Sequence, residues 1–112
     1  MSGYGEIKIG EELFKFKFGL NAYQMLCEHR GITLGEIGET LSETMALFEL
    51  SYFAHVSETR MRGKEPYCNI YQFLEMINEN DPMAFITKVT EIIATAKFMG
   101  KTIEEWGDDK KK

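Results

Sequence analysis

The sequence has few of the residues expected of a disulfide-stabilised, membrane-spanning or nucleotide-binding protein. Its 112 residues include only two cysteines, Cys27 and Cys68, which do not form a CxxC pair. No uninterrupted apolar run approaches the ~18 residues of a membrane span, and the N-terminus lacks a signal-peptide pattern. Neither GxGxxG nor a phosphate-binding loop of the form GxxxxGKS or GxxxxGKT occurs. These absences favour a soluble intracellular protein with free thiols and no nucleotide cofactor.

Basic residues are also in the minority. The formal net charge is −5 and the pI is about 5.1. Nucleic-acid affinity comes largely from clustered Lys and Arg, so general nucleic-acid binding is disfavoured. The longest basic run, Lys110–Lys112, follows two aspartates at the C-terminus and indicates a solvated tail.

No set of residues points to metal binding or catalysis. The candidate zinc ligands are Cys27, His29, His55 and Cys68, but none of them share an established ligand spacing. The pattern predicts a packed Cys27 and a solvent-facing His55. Most glutamates lie in predicted first turns or on polar helix faces, where capping and solubility account for them. We therefore expect a protein that is not an enzyme and binds neither metal nor cofactor.

Strict alternation near the N-terminus predicts a β-hairpin over residues 6–18. Ile7, Phe14 and Phe16 fall on one side, and lysines fall on the other. An isolated hairpin is marginal in water, so its phenylalanine face must pack against helices or a partner.

Capping signals divide the rest of the chain into helices. The signals are Asn21 with Gln24, Thr33 with Glu36, Ser42, Asn69 with Gln72, and Asp81 followed by Pro82. They predict helices over 22–30, 34–40, 42–62, 69–79 and 82–99, a final turn over 102–106, and disorder over 107–112.

The predicted helix over 42–62 carries two apolar stripes instead of the one stripe that a surface helix needs. Polar residues fill the gaps between the stripes, and Ser51, His55, Glu58 and Arg62 are predicted to form its window to solvent. This helix is therefore expected to be the central one. The sequence predicts an α+β, mainly α fold, with the N-terminal hairpin packed on a compact bundle of about five helices over 20–106, in one domain spanning 1–106.

Methionine and aromatic residues are abundant, with seven Met, eight Phe and five Tyr. Most of them are expected in the core, but Met83 and Phe98 project away from the main apolar stripe of their predicted helix. With Trp106, they are the candidate partner-binding residues, lining a groove for an amphipathic helix.

Two stretches carry a family resemblance: GEIKIGEELFKFKFGLNAYQML, followed by GITLGEIGETLSETMALFELSYFAHV. A hairpin that ends in a Lys/Phe alternation and Gly-Leu-Asn-Ala, a Gly-Ile-x-Leu joint and a hydrophobic helix together resemble the tail assembly chaperones of long-tailed bacteriophages. The resemblance implies a non-enzymatic protein of the host cytoplasm that binds the tape measure protein and assists assembly of the tail tube.

The same resemblance implies the short, non-frameshifted form of such a chaperone, with the tail tube protein as a second candidate partner and homo-oligomer formation left open. Two alternatives also stay open. One is a structural head-to-tail adaptor or completion protein of the virion, and the other is a small DNA-binding regulator. The regulator is disfavoured because the central helix offers glutamates and bulky apolar residues where a recognition helix needs basic and amide groups.

Overall fold

An N-terminal β-hairpin, five helices and a short second strand pair make up the part of the chain described by this computed structural model, residues 2–98 and 101–102. The predicted α+β, mainly α fold is confirmed. The predicted tail over 107–112 lies outside the described residues, and the assignment of one domain stays a prediction. The elements in chain order are β1 (Tyr4–Ile9), β2 (Glu12–Lys17), α1 (Leu20–Arg30), a 3₁₀ turn (Leu34–Glu36) running into α2 (Ile37–Thr40), α3 (Thr44–Met61), α4 (Ile70–Glu79), α5 (Pro82–Thr95), β3 (Lys97–Phe98) and β4 (Lys101–Thr102).

The hairpin has the predicted inner face. Strands β1 and β2 are antiparallel with Ile7 opposite Phe14, and Gly10 has the positive φ of 63° that the tight connection requires. Phe14, Phe16 and the following Phe18 are completely or almost completely buried. The alternation of apolar residues and lysines predicts this hairpin because alternate side chains of a strand point to the same face, and here the apolar face is buried in the core.

An aromatic cluster joins the hairpin to the helices. The ring of Phe14 lies 5.4 Å from that of Phe73 on α4, and Phe16 lies 6.1 Å from Phe85 on α5. Phe73 and Phe85 are themselves 6.0 Å apart in an edge-on arrangement. Contacts between aromatic rings contribute stability beyond that of the apolar area that they bury. Because the cluster contains residues of the hairpin, α4 and α5, it joins the hairpin to the helices.

Two of the predicted capping boxes are present. Thr33 pairs with Glu36, and Asn69 accepts from the amide of Gln72 at 2.8 Å while Gln72 reaches back to the amide of Asn69 at 2.9 Å. The prediction at Asn21 is wrong, because α1 begins at Leu20, two residues before the predicted start, and Gly19 occupies the N-cap position. Asn21 is therefore inside the first turn.

The predicted final helix is too long at its C-terminal end. Helix α5 ends at Thr95, and Ala96 takes an extended backbone conformation (ψ 149°). Lys97 and Phe98 form β3, which pairs with β4, so Phe98 is on a strand and not on the helix of Met83. Apolar residues continue at helical spacing past Thr95, so the helical period alone does not show where α5 ends.

Helix α3 is central, as predicted. Of the four residues predicted to face solvent, Arg62 is exposed, but the prediction is wrong for the other three. Ser51 is fully buried, and His55 and Glu58 are 4% and 6% exposed. The most exposed large apolar side chains of α3 are instead Met45 and Met61, near its two ends. The hydroxyl of Ser51 donates to the carbonyl of Leu47 within its own helix, so its burial leaves no unsatisfied group.

His55 links α3 to the hairpin and to the segment before α4. Its Nδ1 lies 3.0 Å from the carbonyl oxygen of Lys15, and the amide of Tyr67 donates to its Nε2 at 3.2 Å. A carbonyl only accepts and an amide only donates, so these contacts fix the neutral ring with its proton on Nδ1. The ring of Phe14 packs against His55 at 4.9 Å.

The environment of His55 predicts a loss of stability in acid. Burial lowers its pKa below the usual 6.5; Arg62 adds to this, whereas the hydrogen bond to Lys15 and the charge of Glu58 oppose it. The unfolded chain therefore binds a proton more readily than the folded one, and the free energy of unfolding falls as the pH drops below 6.5.

Urea unfolding at about pH 7.5 and about pH 5.5 measures this effect. His55→Gln is the control, because an amide can donate to Lys15 and accept from Tyr67 without titrating. We expect the wild type to lose more stability than this variant over the same interval. Equal losses in both proteins would contradict the role given to His55.

Candidate partner-binding surface

An open groove lies between α1 and α3 and has a volume of about 360 Å³. We call it the α1–α3 groove. Its walls combine two methionines with polar and charged side chains: Asn21, Gln24, Met25, Ser57, Arg60 and Met61.

The direction of the two helices explains where the groove opens. Near the C-terminus of α1, Arg30 bonds Glu49 at 2.5 Å and Glu43 at 3.0 Å, which ties that end of α1 to the first half of α3. His29 lies 3.3 Å from the same Glu49. The groove residues of α1 belong to its first half and those of α3 to its last turns, so the helices run antiparallel and the groove lies at the opposite end from these ion pairs.

The ion pairs also change the pKa of Arg30 at the C-terminal end of α1. The hydrogen bond to Glu49 raises the pKa of Arg30, with a second contribution from Glu43. Glu49 is only 13% exposed in its side chain, so this contact is screened less than a surface pair. The Arg30–Glu49 contact therefore holds the C-terminal end of α1 against α3.

The groove offers a mixed surface to a ligand. Met61 is 61% exposed and Met25 is half-buried, while Leu20, next to the groove residue Asn21, is 50% exposed. Unbranched thioether side chains adapt to irregular apolar partners. Asn21, Gln24 and Arg60 are polar groups on the same groove that can bond to a partner's backbone or acidic side chains.

The described residues offer little for covalent or metal chemistry. No group of three or more His, Cys, Asp or Glu among them is placed to hold a metal ion. Burial raises the pKa of the Cys27 and Cys68 thiols, which reduces their reactive thiolate fraction. None of the described helices is both long enough and apolar enough to span a bilayer.

Of the predicted partner-binding residues, Met83 is the one whose side chain the structure describes, and it does not line the groove. Met83 is 69% exposed at the start of α5. The other end of this helix lies at the hairpin, where the Thr95 hydroxyl accepts from the amide of Gly3. The side chain of Phe98 and the whole of Trp106 lie outside the described residues, so their role stays a prediction.

The sequence reasoning missed Met25 and Met61 as surface residues. The sequence predicts most methionines in the core, and the position of Met61 in the last turn of α3 was the available signal of its exposure. Met25 lies beside the buried face of α1, which consists of Ala22, Tyr23, Leu26 and Cys27.

Other large apolar side chains are exposed outside the groove. They are Leu13, Met45, Tyr67, Tyr71 and Met83. Single exposed apolar residues are normal on soluble proteins. Met25 and Met61, in contrast, line one concave groove.

No protein-family model, curated protein or solved structure matches this chain. A functional proposal therefore depends on the chain's own residues and on the pattern that resembles the tail assembly chaperones.

Proposed function

We propose that this protein is a bacteriophage tail assembly chaperone that binds an apolar helix of the tape measure protein in the α1–α3 groove. The observation that carries the proposal is that Met25 and Met61 line the same open groove. The order of hairpin, Gly-Ile-x-Leu joint and hydrophobic helix resembles that of the tail assembly chaperones and supports the proposal that this chain is one of them.

The physical chemistry of the groove suits a helical partner. An amphipathic helix buries its apolar face in a groove through residues spaced three or four apart. Met25 and Met61 adapt to the different side chains that a long tape measure helix presents. The formal charge of −5 keeps a complex with an aggregation-prone partner soluble. The protein acts in the host cytoplasm as a non-enzymatic binder, before the tail tube closes around the tape measure protein.

Replacing Met61 tests the groove. A carboxylate at this position is costly to desolvate against an apolar helix, so we expect Met61→Asp to weaken binding of the tape measure protein about tenfold or more. Because Met61 is mostly exposed, the variant is expected to fold normally. Isothermal titration with a purified tape measure segment measures the affinity, and circular dichroism checks the fold.

Two matched variants locate the binding surface. Met45→Asp makes the same change at the other end of α3, where the side chain is 51% exposed, and is expected to bind like the wild type. Met83→Asp tests the surface predicted from the sequence. If Met83→Asp abolishes binding and Met61→Asp does not, the partner binds at the start of α5 and the groove assignment is wrong.

Mass spectrometry of purified phage particles separates the chaperone from a head-to-tail adaptor. An assembly chaperone leaves before the particle is complete, so we expect this chain to be absent from mature virions. Its presence in fixed copy number would favour the adaptor instead.

A further inference from the structure

The hydrogen bonds of the hairpin define which edge of β1 is unpaired. The amide of Phe18 donates to the carbonyl of Gly3 at 2.8 Å, so Gly3 faces β2. Backbone groups alternate in direction along an antiparallel strand. Gly5, Ile7 and Ile9 therefore also face β2, and the residues between them turn their amides and carbonyls to the other side.

Those outward residues are Tyr4, Glu6 and Lys8. Within the part of the chain that the structure describes, none of their backbone amides or carbonyls has a hydrogen-bond partner. Glu6 and Lys8 are exposed, so water reaches this edge. The far edge of the hairpin differs, because the carbonyl of Lys15 on β2 bonds to His55.

We propose that the free edge of β1 pairs in antiparallel fashion with β1 of a second copy of this chain, around a two-fold axis at Ile7. The two hairpins then form one four-stranded sheet. Glu6 of each copy lies opposite Lys8 of the other, and both residue pairs exchange backbone hydrogen bonds. This proposal is independent of the tape measure binding proposed above.

Charge selects this register over its neighbours. A two-fold axis at Glu6 also aligns outward backbone groups, but it places the two Glu6 carboxylates opposite each other, which is destabilising. An axis at Gly5 leaves Lys8 beyond the paired region. The axis at Ile7 aligns the strand from Gly5 to Ile9 and places two opposite-charge pairs directly across the junction, where such pairs stabilise a sheet.

The length of the edge predicts a weak dimer. β1 has six residues, so the contact is smaller than the interfaces of ~1,200–2,000 Å² typical of stable complexes. We expect monomers at about 1 µM and a reversible dimer at about 300 µM, which sedimentation velocity measures over this range.

Charge reversal tests the register. Glu6→Lys places Lys opposite Lys in a self-pair, and Lys8→Glu places Glu opposite Glu, so each variant alone should weaken the dimer about tenfold or more. An equimolar mixture of the two variants restores both opposite-charge pairs and is expected to form a heterodimer. The double variant Glu6→Lys/Lys8→Glu is expected to dimerise like the wild type.

The control is Lys64→Glu, which changes the net charge as Lys8→Glu does but lies in the exposed loop after α3. It should dimerise like the wild type. A wild type that stays monomeric at about 300 µM would overturn the proposal. So would a dimer that survives both single reversals, or a mixture of the two variants that stays monomeric.

Discussion

Phe16→Ala is expected to lower the free energy of unfolding by ~3–5 kcal/mol. Phe16 is completely buried, and its ring contacts those of Phe18, Phe73 and Phe85. Truncation therefore loses the transfer energy of the ring and leaves a cavity between the hairpin and two helices. Urea unfolding followed by circular dichroism measures the change.

Phe48→Ala is the matched comparison. Phe48 also contacts Phe85, at 6.0 Å, but is only partly buried on α3. Its partial exposure predicts a smaller loss of stability than at Phe16. Equal losses in the two variants would contradict the central position given to the hairpin phenylalanines.

His55→Leu is expected to destabilise the protein by about 3 kcal/mol although leucine is apolar and of similar size. The substitution leaves the carbonyl of Lys15 and the amide of Tyr67 without their partner. Both bonds are part-buried, so each backbone group left without a partner costs toward the lower end of the roughly 1–3 kcal/mol of a fully buried one. The variant should also lose the part of the acid sensitivity that comes from His55.

His55→Gln distinguishes hydrogen bonding from packing, because it keeps a donor and an acceptor but removes the ring contact with Phe14. We expect it to be more stable than His55→Leu. If His55→Leu were the more stable of the two, apolar packing would outweigh the two hydrogen bonds, and the account of His55 would be wrong.

The hairpin and most helix boundaries could be predicted because their signals are local. The Lys/Phe alternation defines a strand face within a few residues, and the capping box at Asn69 requires only Gln72 three positions later. Asp81 and Pro82 likewise specify the start of α5 through a cap and a fixed φ. In each of these patterns, the residues that determine the local structure lie within the segment that adopts it.

The burial of the α3 polar residues could not be predicted, because it depends on elements that are distant in the sequence. His55 is forty positions from Lys15, and no local pattern indicates that contact. Helical periodicity shows that Ser51, His55 and Glu58 share a face, but it does not show whether that face meets water or the edge of β2. Glu58 is buried with a two-point ion pair to Arg62 at 2.6 and 2.7 Å, which compensates for its charge.

The groove was missed for a related reason. Met25 and Met61 are thirty-six residues apart, and they line the same groove because α1 and α3 are antiparallel. Sequence reasoning instead selected Met83 and Phe98 from one helical face, and the early end of α5 separates Phe98 from that helix.

The most direct test of the proposed function is the solubility of the tape measure protein when it is co-expressed with this chain. We expect the wild-type protein to keep the tape measure protein in the supernatant and to co-purify with it. Met45→Asp should do the same, and Met61→Asp should leave the tape measure protein in the pellet. If the wild-type chain gives neither a complex nor improved solubility, the protein is not the chaperone proposed.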